Sequence, residues 1–207
     1  MSSRSREELE NWLKTIPVTG RVVDVGGSQL PVKGRTKSWD ITEYSIIDLE
    51  KPHKGDKPDI VVDINRPINF SKFPKIAGIR KSERGLEVKG ITDIVFCLEV
   101  FEYLYRPDVA LRNFNFMLKE KGILYLSTHY LYGLHNPKGV DFMRLTYYGV
   151  LELLHKNGFD VQEMIARELK SESKGLLRQM YLLEGMRVDF TDQHIFDSGF
   201  LIKAKKR

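Results

Sequence analysis

Arg21-Val22-Val23-Asp24-Val25-Gly26-Gly27-Ser28 decides how this chain is read. A β-branched apolar run ends in an acid, and two glycines follow at once. Tyr44-Ser45-Ile46-Ile47-Asp48-Leu49 repeats the theme: a second apolar run, closed by a second acid. Short, near-continuous apolar runs of this kind are the pattern of strands buried on both faces of a parallel sheet. Working outward, residues 21–25 give a first strand and 45–48 a second. Further strands follow at 59–63, 92–98, 123–127, 159–165 and 200–204. Helical periodicity fills the spaces between them. Residues 5–15 place Leu9, Trp12 and Leu13 on one face and stop at Pro17 and Gly20; 108–119 carry a broad apolar face of Val109, Leu111, Phe114, Met117 and Leu118; 146–156 stop at Asn157-Gly158. Strands alternating with helices predict an α/β, doubly wound, mostly parallel sheet covered by helices. The last strand follows residues 195–198 so closely that an antiparallel edge position is expected for it.

The 207 residues are read as a single domain over 1–207, with an N-terminal helix within 1–19, a surface excursion with some helix at 66–90, and a helical insertion at 170–193. A composition of 42% hydrophobic and 29% charged residues suits a buried core. No apolar stretch is long enough to span a bilayer, and the first residues lack the apolar segment of a signal peptide. The single cysteine, Cys97, excludes an internal disulfide and reads as a buried strand residue. A cytoplasmic protein is expected. The formal charge of +5 is carried in part by solvated lysines at 51–58 and 203–207, and no Lys/Arg stripe is interleaved with aromatics. Nucleic-acid binding is therefore not favoured on charge.

In an open parallel sheet, ligands bind beyond the carboxyl ends of the strands. Asp24, Gly26 and Gly27 stand at such an end, where glycine permits positive φ and close approach to the backbone. Asp48 lies 21 residues after Gly27, about where a carboxylate meets a ribose diol. The G-x-G-x-x-G frame fails, because Ser28 and Pro31 stand where its other glycines would be, and no G-x-x-x-x-G-K-[ST] loop exists. An acid ahead of the glycines repels phosphate and attracts a cationic amino group. A plain strand-turn-helix connection with Gly-Gly fits the same residues.

In several segments the chain resembles the class I S-adenosylmethionine-dependent methyltransferases, of the broad type 11/12-like branch. The likeness covers roughly residues 20–165 and the last strand. Val22-Val23-Asp24-Val25-Gly26-Gly27 looks like that family's first motif, and Ile46-Ile47-Asp48 like its second. Asp59-Ile60-Val61-Val62-Asp63-Ile64-Asn65 is similar to the adenine segment. Asp93-Ile94-Val95-Phe96-Cys97-Leu98-Glu99-Val100-Phe101-Glu102-Tyr103-Leu104 is similar to D-x-V-x-x-x-E-V-L-E-H-L. Leu118-Lys119-Glu120-Lys121-Gly122 resembles the L-K-P-G-G turn, and Asp141-Phe142-Met143-Arg144-Leu145-Thr146 with Gly158-Phe159 resembles D-Y-W-R-F-T…G-F. Three departures stand out: Asp-Val-Gly-Gly-Ser replaces D-x-G-x-G, Tyr103 replaces the usual histidine, and Glu120-Lys121-Gly122 replaces Lys-Pro-Gly-Gly.

The resemblance implies a seven-stranded Rossmann-like sheet in the order 3-2-1-4-5-7-6 with its last strand antiparallel, and S-adenosyl-L-methionine as cofactor. Asp24, Gly26 and Gly27 would hold its methionine end, Asp48 and Leu49 the ribose, Asp63 and Ile64 the adenine, and Leu98 and Glu99 would border the methyl group. Tyr103, His135, Arg144 and Tyr148 fall on the acceptor side. His135 and His129 are candidate bases, imidazole titrating near neutrality. Arg144 either binds an anionic substrate group or bridges to Asp141. Glu99 and Glu102, at a strand-helix boundary, are expected to point apart. No metal is expected. The implied reaction is methyl transfer to an O or N acceptor, with a small molecule or glycan-like substrate favoured. A nucleic-acid methyltransferase would bring a [DN]-P-P-[YF] motif, and Cys97-Leu98-Glu99-Val100 stands in its place. A non-catalytic member that binds cofactor or a partner is the other alternative. Aminopropyl transfer would need a cluster of acids around an acceptor amine. Nothing in the sequence fixes the oligomeric state.

Overall fold

A computed structural model of the chain describes residues 3–49, 57–82, 85–134 and 139–207. His53 and His135 lie outside the described residues. The order of elements is α1 (Arg4–Leu13), β1 (Pro17–Val25), β2 (Ser38–Asp48), β3 (Ile60–Val61), β4 (Ala77–Ser82), β5 (Gly85–Gly90), β6 (Thr92–Cys97), α2 (Pro107–Met117), β7 (Leu118–His129), α3 (Tyr147–Lys156), β8 (Phe159–Glu168), α4 (Ser171–Leu183) and β9 (Asp197–Lys206). Seven strands form one sheet in the order β3-β2-β1-β6-β7-β9-β8. The first five are parallel neighbours, and β9 runs antiparallel to both β7 and β8. Renumbered without β4 and β5, this is the expected 3-2-1-4-5-7-6 order. The last strand is antiparallel as expected, but it lies inside the sheet and β8 holds the edge.

The two faces of the sheet are covered unequally. On one, α2 and α3 pack Leu111, Phe114, Met117, Val150 and Leu154 against Val23, Val95, Leu124 and Phe200. On the other, α1 supplies Leu9, Trp12 and Leu13 against Val22, Phe96, Tyr125 and Leu201. Trp12 meets Tyr125 edge-on, with ring centroids 5.6 Å apart, and Phe96 stacks on Tyr125 at 5.0 Å. Ser3 caps α1 by accepting the Arg6 N–H, and Thr146 caps α3 by accepting the Gly149 N–H.

Three local expectations change. No helix follows the glycine turn: residues 26–37 form turns and bends that lead directly into β2. The physical reason is tertiary, since Asp24 anchors this loop from inside, as described below. The 66–90 excursion carries one 3-10 turn (Phe70–Lys72) and the hairpin β4–β5, which forms its own two-stranded sheet. Its Gly78 and Gly90 break helical periodicity and let the hairpin sit against α2: a Cβ on Gly90 would run into the Phe116 and Met117 carbonyls. The third strand shrinks to two residues because Asp63 turns back on Asn65 and ends it. Among the described residues no helix is long and apolar enough to cross a membrane.

Candidate functional site

The glycine turn is built around a buried acid. Gly26 takes φ +74° and donates its N–H to the Ile47 carbonyl at 2.8 Å. A side chain there would strike Val100, which ties the turn to the exit of β6. Asp24 is almost fully buried. Its Oδ2 accepts the Val32 N–H (2.8 Å) and the Tyr44 hydroxyl (2.6 Å). Asp24 thus pins the loop 26–37 from beneath. Burial pushes its carboxyl up to about 6 against the lowering effect of those two hydrogen bonds. A Cβ on Gly27 would collide with the Asp24 carboxylate. Gly27→Ala is therefore expected to cost about 1–3 kcal/mol in chemical denaturation, as overpacking does.

Beside this turn lies a cleft of about 160 Å³, lined by Asp24, Gly26, Gly27, Gln29, Leu98 and Glu99, with Arg6 and Leu9 of α1 along one side. A larger hollow of about 380 Å³ lies between α2 and the 67–71 segment, lined by Ile68, Phe70, Val109 and Phe116, and includes none of the strand-end acids. The chemistry is concentrated in the smaller cleft.

Asp48 ends β2 at the same edge of the sheet, one residue past the Val25–Ile47 pair. It accepts the Leu49 N–H at 2.8 Å, and Leu49 itself is exposed. Asp63 stands two residues beyond β3. Its Oδ1 accepts from the Asn65 backbone and side chain, while Oδ2 accepts the Tyr105 hydroxyl at 3.4 Å. Ile64 is buried, and its carbonyl accepts from Asn113. Asp24, Asp48 and Asp63 thus occupy the carboxyl ends of three adjacent strands. Gly26, Gly27, Leu98 and Glu99 share the cleft with Asp24; Asp48, Leu49, Asp63 and Ile64 do not line it.

Glu99 is the most constrained residue of the site. It has φ +56°, a left-handed conformation uncommon outside glycine. Its N–H donates to Ser127 Oγ (2.7 Å), and that hydroxyl donates to Glu99 Oε1 (2.9 Å). Arg167 Nη1 reaches the same Oε1 at 2.8 Å, and His129 Nε2 lies 3.2 Å from Oε2. Burial raises the Glu99 carboxyl, but the hydrogen bond from His129 and the charge of Arg167 outweigh it and hold the group well below the usual carboxylate range. Glu102 is not directed away. The chain turns sharply at Glu99 and continues as a 3-10 turn (Phe101–Tyr103), so residues three apart face one way. Glu102 Oε1 comes within 3.4 Å of the same His129 Nε2. Burial pushes the Glu102 carboxyl up to about 7, opposed by His129 and reinforced by Glu99. His129, the last residue of β7, is buried between these carboxylates and stacks on Tyr132 at 4.3 Å.

Two raised acids give a signed pH dependence. The folded state binds protons at Asp24 and Glu102 more tightly than the unfolded chain does. The stability this contributes is complete below about pH 4 and is lost as pH rises through about 6 and 7. Glu102→Gln is expected to stabilise the protein more at pH 8 than at pH 5, by at most about 3 kcal/mol. Thermal melts across that range measure it.

On the acceptor side, Arg144 is fully engaged. It holds Asp141 through both Nη1 and Nη2 (2.6 Å for the latter) and donates to the Gly133 and Met143 carbonyls at 2.9 and 2.7 Å. The bridge to Asp141 is formed, and Arg144 staples the segment on either side of residues 135–138. The Phe142 N–H donates to the Glu102 carbonyl, which lays this segment over the Glu99–His129 cluster. Tyr103 is half-buried near Glu102 and Asp141, and burial with those acids pushes its hydroxyl up to about 12. Tyr148 is exposed at the start of α3. Two residues escaped the sequence reading. Arg167 is fully buried, though nothing in the pattern of β8 shows that α1 covers that position. His194 stacks on Tyr147 at 3.7 Å and bonds Asp197 through Nδ1 at 2.8 Å; only the i, i+3 spacing of His and Asp hinted at it.

Neither a family model nor a curated protein sequence matches the chain. Solved structures do match. An S-adenosylmethionine-dependent methyltransferase from Mesorhizobium loti superposes over 98% of both chains with a TM-score of 0.59 and 13% identity. A methyltransferase structure from Bacillus halodurans, itself described as putative, covers 97% of both chains with a TM-score of 0.58 and 14% identity. An S-adenosylmethionine-dependent methyltransferase from Archaeoglobus fulgidus covers 98% of this chain and 92% of its own, with a TM-score of 0.58 and 13% identity. The chain carries the class I methyltransferase fold: a mostly parallel, Rossmann-like seven-stranded sheet flanked by helices.

Proposed function

We propose that the chain is an S-adenosyl-L-methionine-dependent methyltransferase acting on an O or N acceptor of a small molecule or glycan-like substrate. The observation that carries this reading is the character of the cleft. It opens at the carboxyl ends of β1 and β6, is bordered by the carboxylates Asp24 and Glu99, and no helix begins at its glycine turn. A phosphate-binding loop would present the amide N–H groups and positive dipole of a helix N-terminus there. No helix and no helix dipole stand at this turn, so it suits a cationic nucleoside better than a dinucleotide.

The residues present fit that cofactor. The Gly26-Gly27 backbone would hold the methionine end, Leu98 and Glu99 would border the methyl group, Asp48 would accept the ribose hydroxyls, and Asp63 with the Ile64 N–H would meet the adenine. Asp24, occupied by Val32 and Tyr44, acts through the loop it anchors. The bound cofactor supplies an activated methyl on a sulfonium, already a good leaving group. The protein's work is then to align the acceptor and exclude water. Tyr103, Tyr148 and the segment held by Arg144 border the acceptor side, with His135 and His129 as the histidines that could take a proton. His129 is buried, with Glu99 and Glu102 against its Nε2.

Titrating S-adenosylhomocysteine into the protein by calorimetry tests the reading. One-site binding is expected, followed by label transfer from methyl-labelled cofactor to a metabolite fraction. Absence of binding at millimolar ligand would overturn it.

A further inference from the structure

Glu99 is the acid of the cleft that remains accessible. Asp24 is buried beneath the loop, whereas the Glu99 side chain is 25% exposed and lines the cleft. Its carboxylate is fixed from three sides by Ser127, His129 and Arg167. A carboxylate offers about four lone-pair positions, and these three donors take three of them. Arg167 reaches Glu99 from β8, and its Nη2 donates to the Ser5 carbonyl of α1 at 2.7 Å. One buried guanidinium therefore ties the helix beside the cleft to the carboxylate inside it. The left-handed backbone at Glu99 carries strain that this clamp sustains.

We propose that Glu99 is the charge-selecting residue of the cleft: its carboxylate, positioned by Arg167, faces the cationic centre of the bound cofactor and separates the sulfonium from the neutral thioether product. This rests on the methyltransferase reading above and moves the electrostatic contact from the glycine-motif acid, Asp24, to the end of β6. It also gives product release a physical basis, since the favourable charge interaction disappears when the methyl leaves. Arg167 is a positioning residue in this scheme and touches no ligand.

The test compares S-adenosylmethionine, S-adenosylhomocysteine and sinefungin, which carries an ammonium in place of the sulfonium, by calorimetry on wild type, Glu99→Gln, Arg167→Lys and Arg167→Met. Glu99→Gln is expected to weaken both cationic ligands by about tenfold and the homocysteine compound by less than about twofold. Arg167→Lys, which keeps a cation, is expected to retain the discrimination. Arg167→Met is expected to lose it; should that variant fail to fold, Glu99→Gln and Arg167→Lys decide the matter. A general loss of packing would weaken all three ligands alike. Equal weakening of the three by Glu99→Gln, or none, overturns the inference while leaving the methyltransferase reading intact. Failure of the wild type to bind any of them removes both.

Discussion

Asp48→Ala is expected to lower affinity for S-adenosylhomocysteine by about a hundredfold or more while leaving the melting temperature nearly unchanged. Two hydrogen bonds from ribose hydroxyls to an ionised carboxylate contribute about 3 kcal/mol together at the low end, which is about two decades in affinity. The fold loses little, because the described contact of Asp48 is a local one to its neighbour's N–H. The side chain stands past the last Ile47 pairing with β1, at the sheet's carboxyl edge. Calorimetry paired with thermal melting separates the two effects. A large fall in melting temperature, or an unchanged affinity, would mean that Asp48 shapes the strand end and does not hold a ribose.

The second large effect is on stability. Arg167→Met is expected to destabilise the protein by about 3–5 kcal/mol, the cost of removing one partner of a buried ion pair. It strands Glu99 among Ser127, His129 and Glu102, and it releases the Ser5 carbonyl at the start of α1. The double variant Glu99→Gln with Arg167→Met is expected to recover part of that loss, since the uncompensated carboxylate is gone. Chemical denaturation of the two single variants and the double variant gives the coupling. Additive losses would show that Glu99 and Arg167 do not form one electrostatic unit.

Much of the fold was legible because buried parallel strands leave a strong trace. Val22–Val25, Ile46-Ile47 and Ile94–Cys97 are near-continuous apolar runs, and each became a central strand. The helix faces at Leu9, Trp12 and Leu13, and at Val109 through Met117, point where their periodicity places them. What the sequence concealed was set by tertiary contacts. Gly26-Gly27 reads as a strand-to-helix turn, yet Asp24 draws Val32 and Tyr44 onto itself and the loop never winds into a helix. Residues 77–90 have no strong strand pattern, and their hairpin is held by pairing with itself and by Gly90 against α2. In the site, acids at strand ends could be read from position alone. The convergence of Glu99 and Glu102 on His129 could not, because it depends on one left-handed residue. Arg167 was hidden for a related reason: a lone arginine on an edge strand looks solvated until α1 is seen to close over it.

The proposed activity requires a cationic nucleoside gripped at the carboxyl ends of β1, β2 and β6. A crystal structure of the protein with S-adenosylhomocysteine tests it most directly. The predicted result is a ribose on Asp48 and an amino-acid portion lying between the Gly26-Gly27 turn and Glu99. A ligand bound elsewhere on the molecule, or a homocysteine portion remote from Glu99 with the glycine turn packed shut, would contradict it.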